Sequence, residues 1–395
     1  MDKLKKIFGL LLLRLLHVLA NILPKKKNNW VFGAWFGKRY SDNPKVFFEY
    51  VRTHHPEIDA TWIATEPGVV LAIRELGHNA FLARSIQGII YQLRADKAFI
   101  CQSAHDDLFA PSVGRGTKVI NLWHGLPIKK IMYDTFDNSK KAKNFWGKLE
   151  DFLTPYNQHR NDLLLATSDE TQLLLANAFK LPKKQVVITG FPRNDVFQPN
   201  TTKQIKTNES YQCLYMPTFR GGVGSECDLF YQYGFDVVKM DKILRDNNIS
   251  LILRLHPVNR PSAKLLEGIE NASCISLDST PDLYTSIHHY DALITDYSGG
   301  YLDFILSGKP ILFAPFDLDR YLKTERNLYY DYKSVTLPPF SYNWDELLAN
   351  IVNIKNGELS ADYLDCYKSL LKRFHTQLPG NSVYSKNVFN AVIAL

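Results

Sequence analysis

The chain has 395 residues, 45% of them hydrophobic, enough apolar material for two cores and better suited to two α/β domains than to one. Its 47 Lys and Arg against 40 Asp and Glu leave a net charge of +7. That modest excess suits anionic substrates or an anionic membrane surface. With no aromatic-interleaved basic stripe and no recognised motif for it, nucleic acid is excluded as the expected partner.

Residues 1–27 come first. Leu4, Ile7, Phe8, Leu11, Leu15, Val18, Leu19 and Ile22 recur at helical spacing, Lys3, Lys6, Arg14, His17 and Asn21 form a narrower polar stripe, and Lys25-Lys26-Lys27 follows at once. The pattern predicts an amphipathic helix with a basic flank, lying in the interface of an anionic membrane. Arg14 and His17 near the middle argue against a spanning helix, and the absence of a small-x-small site argues against a cleaved signal peptide. The lysine triplet points to the cytoplasmic face, with peripheral attachment. Docking of the helix on its own domain is the remaining alternative.

Residues 28–197 read as a first domain of alternating strands and helices. Strands are expected at Trp30 to Phe36, Thr61 to Ala64, Lys97 to Cys101, Lys118 to Trp123, Phe152 to Thr154 and Val186 to Thr189, with helices at Val46 to Arg52 and Thr171 to Phe179. Such βα alternation implies a parallel sheet wound on both faces. Residues 198–210 turn polar and read as a linker. Residues 211–395 then form a second Rossmann-like domain, with strands at Cys213 to Met216, Leu251 to Leu255, Cys274 to Leu277, Ala292 to Thr295 and Ile311 to Ala314. The fold class is therefore α/β, with two doubly wound domains. Cys101, Cys213, Cys227, Cys274 and Cys366 are scattered without a C-x-x-C pair and read as reduced residues of a cytosolic protein. No zinc spacing occurs, and His288-His289 are adjacent, so on a helix they point in different directions.

Motifs cluster at the carboxyl ends of the apolar runs, the edge where open α/β sheets bind ligands. Asp296-Tyr297-Ser298-Gly299-Gly300-Tyr301-Leu302-Asp303 reads as a buried strand turning into a helix from Tyr301 to Leu306, a natural seat for phosphate. Upstream stand Trp123-His124-Gly125-Leu126-Pro127 with Lys129 and Lys130, Gly190-Phe191-Pro192-Arg193-Asn194-Asp195, Met216-Pro217-Thr218-Phe219-Arg220 and Leu255-His256-Pro257. Gly221 to Ser225 reads as a loop, either a flexible connection or a cover for a bound donor.

In order and spacing these elements, with Tyr40-Ser41-Asp42-Asn43-Pro44 before them and Gly308-Lys309-Pro310, Asp317 and Tyr321 after, resemble the CDP-glycerol glycerophosphotransferase family of teichoic-acid-type enzymes. The likeness runs from about Trp30 to at least Tyr321. One departure is Ser298-Gly299-Gly300, where the family commonly has two consecutive serines. The resemblance implies a GT-B-like pair of domains facing a cleft. It also implies CDP-glycerol or CDP-ribitol as donor, a polyprenyl-diphosphate-linked saccharide or growing teichoic-acid or capsule-type polymer as acceptor, and CMP as product. A sugar-nucleotide glycosyltransferase of GT-B plan is the rival enzyme class.

For such a transfer His124 is the first candidate for general base, since imidazole titrates near neutrality; capping of the following turn is its structural alternative. His256 is assigned to the donor phosphates. Arg193, Arg220 and Arg254 are expected to grip phosphate oxygens, unless a neighbouring carboxylate such as Asp195 claims one of them. Thr295, Ser298, Gly299 and Gly300 are expected to hold the pyrophosphate. Asp303 and Asp296 are donor-side candidates, Asp303 by family analogy for a ribose or alditol hydroxyl. Gly37, Tyr40, Ser41, Asp42 and Asn43 are acceptor candidates, with Asp42 a rival base and helix capping the plain alternative. No cofactor is expected. The acids form no Asp-x-Asp cluster, so a metal-independent reaction is expected.

Overall fold

The computed structural model describes residues 2–135, 145–199, 210–226, 229–256, 258–324, 327–380 and 383–395. Cys227, Pro257 and residues 200–209 of the expected linker lie outside them. Two compact units are present: Met1–His124, Phe136–Asp195 and Ser382–Leu395 form the first, Gly125–Thr135 and Val196–Asn381 the second.

The first unit begins with helix α1 (Asp2–Ile22) and continues β1 (Lys26–Phe32), α2 (Asp42–His54), β2 (Asp59–Ala64), α3 (Pro67–Glu75), β3 (Ala80–Leu82), α4 (Ile86–Leu93), β4 (Ala95–Ile100), α5 (Ala104–Asp107), β5 (Lys118–Asn121), α6 (Phe145–Leu153), β6 (Leu163–Ala166), α7 (Asp169–Phe179) and β7 (Val186–Ile188). Its seven strands pair in parallel in the order β3-β2-β1-β4-β5-β6-β7. Trp30 and Phe32 of β1, Phe47 of α2 and Phe99 of β4 pack ring on ring beneath the sheet, Phe32 and Phe99 with centroids 4.4 Å apart. The C-terminal helix Tyr384–Ile393 also belongs here. Asp195 caps it, its carboxylate accepting the amides of Tyr384 and Ser385 at 2.7 and 3.0 Å.

The second unit holds β8 (Tyr211–Met216), α8 (Val237–Asp246), β9 (Ile249–Leu253), α9 (Ala263–Glu270), β10 (Ile275–Leu277), β11 (Ala292–Thr295), α10 (Tyr301–Phe304), β12 (Ile311–Phe313), α11 (Leu318–Thr324), α12 (Trp344–Lys355) and α13 (Ala361–Phe374). Its sheet is again parallel, ordered β10-β9-β8-β11-β12. Trp344 anchors the core against Tyr215, Phe230 and Phe235 and donates its indole N–H to Leu229 O at 2.8 Å.

Three local expectations change. Phe152 to Thr154 is no strand: α6 ends at Leu153, and the strand that follows is β6, Leu163–Ala166. Leucine and alanine favour helices intrinsically, and a four-residue buried run carries no usable period. The first strand stops at Phe32, ahead of the 3₁₀ turn at Trp35–Gly37, and Gly33 between them is a close approach, where a Cβ would meet the Asp107 carbonyl oxygen at 2.2 Å. The helix after the glycines is short, α10 passing into a 3₁₀ turn at Ile305–Ser307.

Helix α1 docks on the first unit through His17, Ala20 and Asn21 near its C-terminal end. Ala20 is fully buried, with Gly114 so close that a Cβ there would meet the Ala20 carbonyl oxygen at 2.0 Å. His17 meets the Tyr156 ring at 5.5 Å, Arg115 N donates to Asn21 Oδ1 at 2.7 Å, and Lys25 Nζ donates to Ala20 O and Leu93 O. Lys25 is thus turned inward, and Lys26 pairs with Asp59 at 3.0 Å. Phe8, Leu11, Leu12, Leu15, Val18, Leu19 and Ile22 remain between 41% and 73% exposed. Among the described residues, no helix is long and apolar enough to cross a membrane.

Candidate functional site

In each sheet the strand order reverses once, between β1 and β4 in the first unit and between β8 and β11 in the second. Loops leaving the carboxyl ends of such a strand pair diverge and expose their backbone, which makes the reversal point the expected ligand position. His124 is tied to the first of these points, and residues 216–220 and 296–300 form the second.

In the first unit, His124 stands on the loop after β5, half-buried. Its Nδ1 lies 2.8 Å from Cys101 O at the end of β4. A carbonyl only accepts, so Nδ1 carries the proton and Nε2 keeps its lone pair. Burial holds the imidazole below its ordinary value of 6.5; the Cys101 bond and Asp42 act against that, and Arg193 adds to it.

The loop that carries His124 is held by two other motifs. Asn43 Nδ2 donates to Leu122 O and Trp123 O at 3.1 and 3.0 Å, and Arg193 Nη1 donates to His124 O at 2.9 Å. Arg193 also binds Asp42 Oδ1 at 2.8 Å and, through its amide, Asn43 Oδ1 at 3.0 Å, while Trp35 Nε1 donates to Asp42 Oδ2. Asp42, Asn43 and Arg193 are buried, so an ion pair here is shielded from water. Trp35, Phe36, Asp42 and Trp123 all have φ between 49° and 67°, four of the eight such non-glycine residues described. Each costs about 1–3 kcal/mol, and strain of this kind gathers where the surroundings fix an unusual backbone for use. The remaining acceptor-side candidates pack internally. Tyr40 donates to Glu49 and meets Trp62 edge-on, Ser41 is buried at the start of α2, and Gly37 (φ 69°) leaves no room beside Thr65.

In the second unit, Arg220 is the centre of a buried cluster. Its guanidinium binds Asp317 through Nε and Nη2, both at 2.8 Å, and Asp296 Oδ2 at 2.9 Å. The rings of Tyr297 and Tyr321 stack 3.9 Å apart, with the Arg220 guanidinium carbon 5.0 and 4.8 Å from their centres. Burial pushes the Asp317 carboxyl up, but the Arg220 bonds outweigh it and hold the group below the usual carboxylate range. Asp296 also accepts Thr218 N, Thr218 Oγ1 and Tyr297 N. Arg254 is engaged too, by Asp278 and Thr280. Thr295 donates its hydroxyl to Met216 O at 2.8 Å, and fully buried Asp303 accepts the Tyr284 hydroxyl at 2.5 Å. Lys129 lies 5.1 Å from the Tyr321 ring centre and 5.8 Å from that of Phe219.

His256 is exposed beside the Phe219 ring. Val258 N donates to its Nδ1 at 3.2 Å, so the neutral imidazole carries its proton on Nε2. The two candidate histidines therefore hold opposite tautomers, one ending in a lone pair and one in a donor.

Ser298, Gly299 and Gly300 are half-buried at the turn into α10. Gly299 is dictated by packing: a Cβ would meet Leu126 O at 2.2 Å. Leu126 opens a segment that runs beside residues 327–329, with Lys130 N bonded to Asn327 O and Tyr329 N to Ile128 O. Gly299→Ala is expected to displace this segment and cost about 1–3 kcal/mol. Thermal unfolding checks it, and an unchanged Tm contradicts it.

Asp107, the last residue of α5, lies outside every motif of the sequence, because a lone aspartate carries no distinguishing local pattern and only the fold brings it to the end of β4. Among the described residues, no group of three or more His, Cys, Asp or Glu side chains could hold a metal ion.

Comparisons with known proteins agree with one another. A family model described as CDP-glycerol:poly(glycerophosphate) glycerophosphotransferase matches residues 15–394. The teichoic acid glycerol-phosphate transferase of Staphylococcus aureus is 27% identical over 368 residues, covering 90% of this chain and 90% of that protein. The teichoic acid ribitol-phosphate primase of Bacillus spizizenii is 26% identical, covering 85% of this chain and 84% of that protein. A solved structure of the wall teichoic acid polymerase TagF aligns with TM-score 0.73 at 20% identity, covering 94% of this chain and 89% of that one, and makes the fold GT-B-like.

Proposed function

Because the chain belongs to the CDP-glycerol:poly(glycerophosphate) glycerophosphotransferase family, we propose that it transfers glycerol phosphate from CDP-glycerol to a hydroxyl of a polyprenyl-diphosphate-linked saccharide or a growing teichoic-acid or capsule-type polymer. His124 Nε2 takes the proton of the acceptor hydroxyl. The oxygen attacks the phosphorus that bears glycerol, the bridging P–O bond breaks, and its electron pair leaves with CMP. His256 Nε2–H donates to the donor phosphates, where negative charge grows on the leaving group. The observation that carries this reading is the pair of opposite tautomers, fixed by Cys101 O and Val258 N.

Ser298, Gly299 and Gly300 receive the pyrophosphate in this reading. Arg193, Arg220 and Arg254 act by holding loops, since each guanidinium already binds a carboxylate. Asp42 and Asn43 likewise support the His124 loop, which leaves the base role to the imidazole. CDP-ribitol is the second donor to test, favoured by the likeness to a ribitol-phosphate primase. Competition binding of CDP-glycerol and CDP-ribitol against UDP- and GDP-sugars decides the donor class. Preference for a sugar nucleotide overturns the assignment.

The enzyme works at the cytoplasmic face of a membrane, peripherally attached through α1. Support comes from the seven apolar side chains that α1 turns outward while His17, Ala20 and Asn21 face the first unit. Leu11→Glu with Leu15→Glu is expected to abolish sedimentation with anionic vesicles and leave Tm unchanged. Undiminished sedimentation contradicts that attachment.

A further inference from the structure

Asp107 lies outside every motif that singled out the site, at the end of α5 and fully enclosed. Its carboxylate makes three bonds to backbone amides: Oδ1 accepts Phe36 N at 3.1 Å, and Oδ2 accepts Cys101 N at 2.9 Å and Gln102 N at 2.7 Å. The Gln102 N–H and the Cys101 carbonyl belong to one planar peptide. That same carbonyl accepts the His124 Nδ1–H at 2.8 Å. A continuous line therefore runs from carboxylate to peptide N–H, through the amide to its carbonyl oxygen, and on to the imidazole.

Resting on the reading of His124 as the base, we infer that Asp107 is a positioning residue that acts through the Cys101–Gln102 peptide, fixing the His124 tautomer and stabilising the imidazolium formed when Nε2 takes the acceptor proton. A carboxylate bonded to the N–H of an amide draws electron density toward the carbonyl oxygen and makes it a stronger acceptor. The arrangement does for His124 what a directly bonded carboxylate does in a catalytic triad, with a peptide between the two groups. Gly33 admits the Asp107 backbone, and the Phe36 amide bond ties the strained Trp35-Phe36 turn to the same carboxylate.

Other titratable groups face the pair, among them the buried Cys101 thiol beside Asp107. Asp42 and Arg193 act on His124 with opposite sign, and Asp106 acts on Asp107. Burial pushes the Asp107 carboxyl up to about 7 against the pull of the three amides. The full effect is therefore present above that pH, and a shallow step in rate near it belongs to Asp107.

The first test uses the wild-type chain with 15N-labelled histidine. Neutral His124 is expected as the Nδ1–H form, and the Gln102 amide proton is expected to shift as His124 titrates. A neutral Nε2–H form overturns the inference whatever any variant does. The second test is Asp107→Asn, expected to lower kcat about 10- to 100-fold, leave KM for the donor unchanged and remove the step near neutral pH. A variant with wild-type kcat, pH profile and His124 tautomer sinks the inference while the base reading stands. Full turnover in His124→Ala instead removes the base reading, a separate outcome.

Discussion

His124→Ala is expected to lower kcat for acceptor-dependent CMP release by about 10²- to 10⁴-fold, the usual contribution of a positioned general base. Binding of CDP-glycerol should change little, because in the proposed reaction the donor phosphates are held by His256 and the 298–300 turn. The pH dependence has a definite sign. Burial holds the His124 imidazole below 6.5, so the basic form persists at neutral pH and is lost only as the pH falls through that depressed value. The acid limb of kcat/KM in the wild type should therefore lie below 6.5, distinct from the shallower step ascribed to Asp107. The same depression makes protonation of His124 unfavourable to folding, so its contribution to stability is present above the ordinary imidazole value and lost on acidification. Steady-state rates from pH 5 to 9 on wild type and variant decide the matter, and turnover within a factor of about three rejects His124 as base.

Arg220→Ala should act on stability rather than on one step of the reaction. The guanidinium is the counter-charge of both Asp296 and Asp317, and Asp296 has no exposed surface. Removing one partner of a buried ion pair strands the others, at a cost of about 3–5 kcal/mol. For a unit of this size that corresponds to a fall of roughly 6–20 °C in Tm. The Tyr297 hydroxyl, 3.0 Å from Asp317, and the stacked Tyr321 ring lose their registry with the cluster. Lysine should rescue little, because a single ammonium group cannot reproduce bonds to two carboxylates from three directions. Asp317 is held below the usual carboxylate range, so the stabilisation it shares with Arg220 is present at neutral pH and disappears as acid protonates it. Calorimetry on the variant checks the first claim; a Tm within about 2 °C of wild type contradicts it.

The parts of this molecule legible in its sequence are those written in local pattern. Val31, Ile63, Ile100 and Val119 sit in buried, β-branched runs, and the strands appeared where those runs predicted. Glycine and proline punctuation located the loops of His124, Arg193 and Ser298. Long-range assembly was not legible. Asp195 is a candidate partner for one of the arginines by its place in the motif, and nothing local shows that it also caps the helix Tyr384–Ile393, about 190 residues away in the chain. Arginine suits phosphate, so local pattern points Arg220, Arg254 and Arg193 to phosphate, while the aspartate that each also binds, Asp317, Asp278 and Asp42, is set by folding. The direction in which α1 turns its apolar stripe also depended on where Gly114 and Tyr156 would meet it. A helical period identifies two faces of a helix but not which of them packs.

Mass spectrometry of a lipid-linked saccharide incubated with the purified chain and CDP-glycerol tests the central claim most directly. One or more glycerol phosphate units should appear on the acceptor, with one CMP released for each unit added and none released when the acceptor is left out. An acceptor of unchanged mass, in the presence of protein that binds CDP-glycerol, contradicts the assignment of this chain as a glycerophosphotransferase.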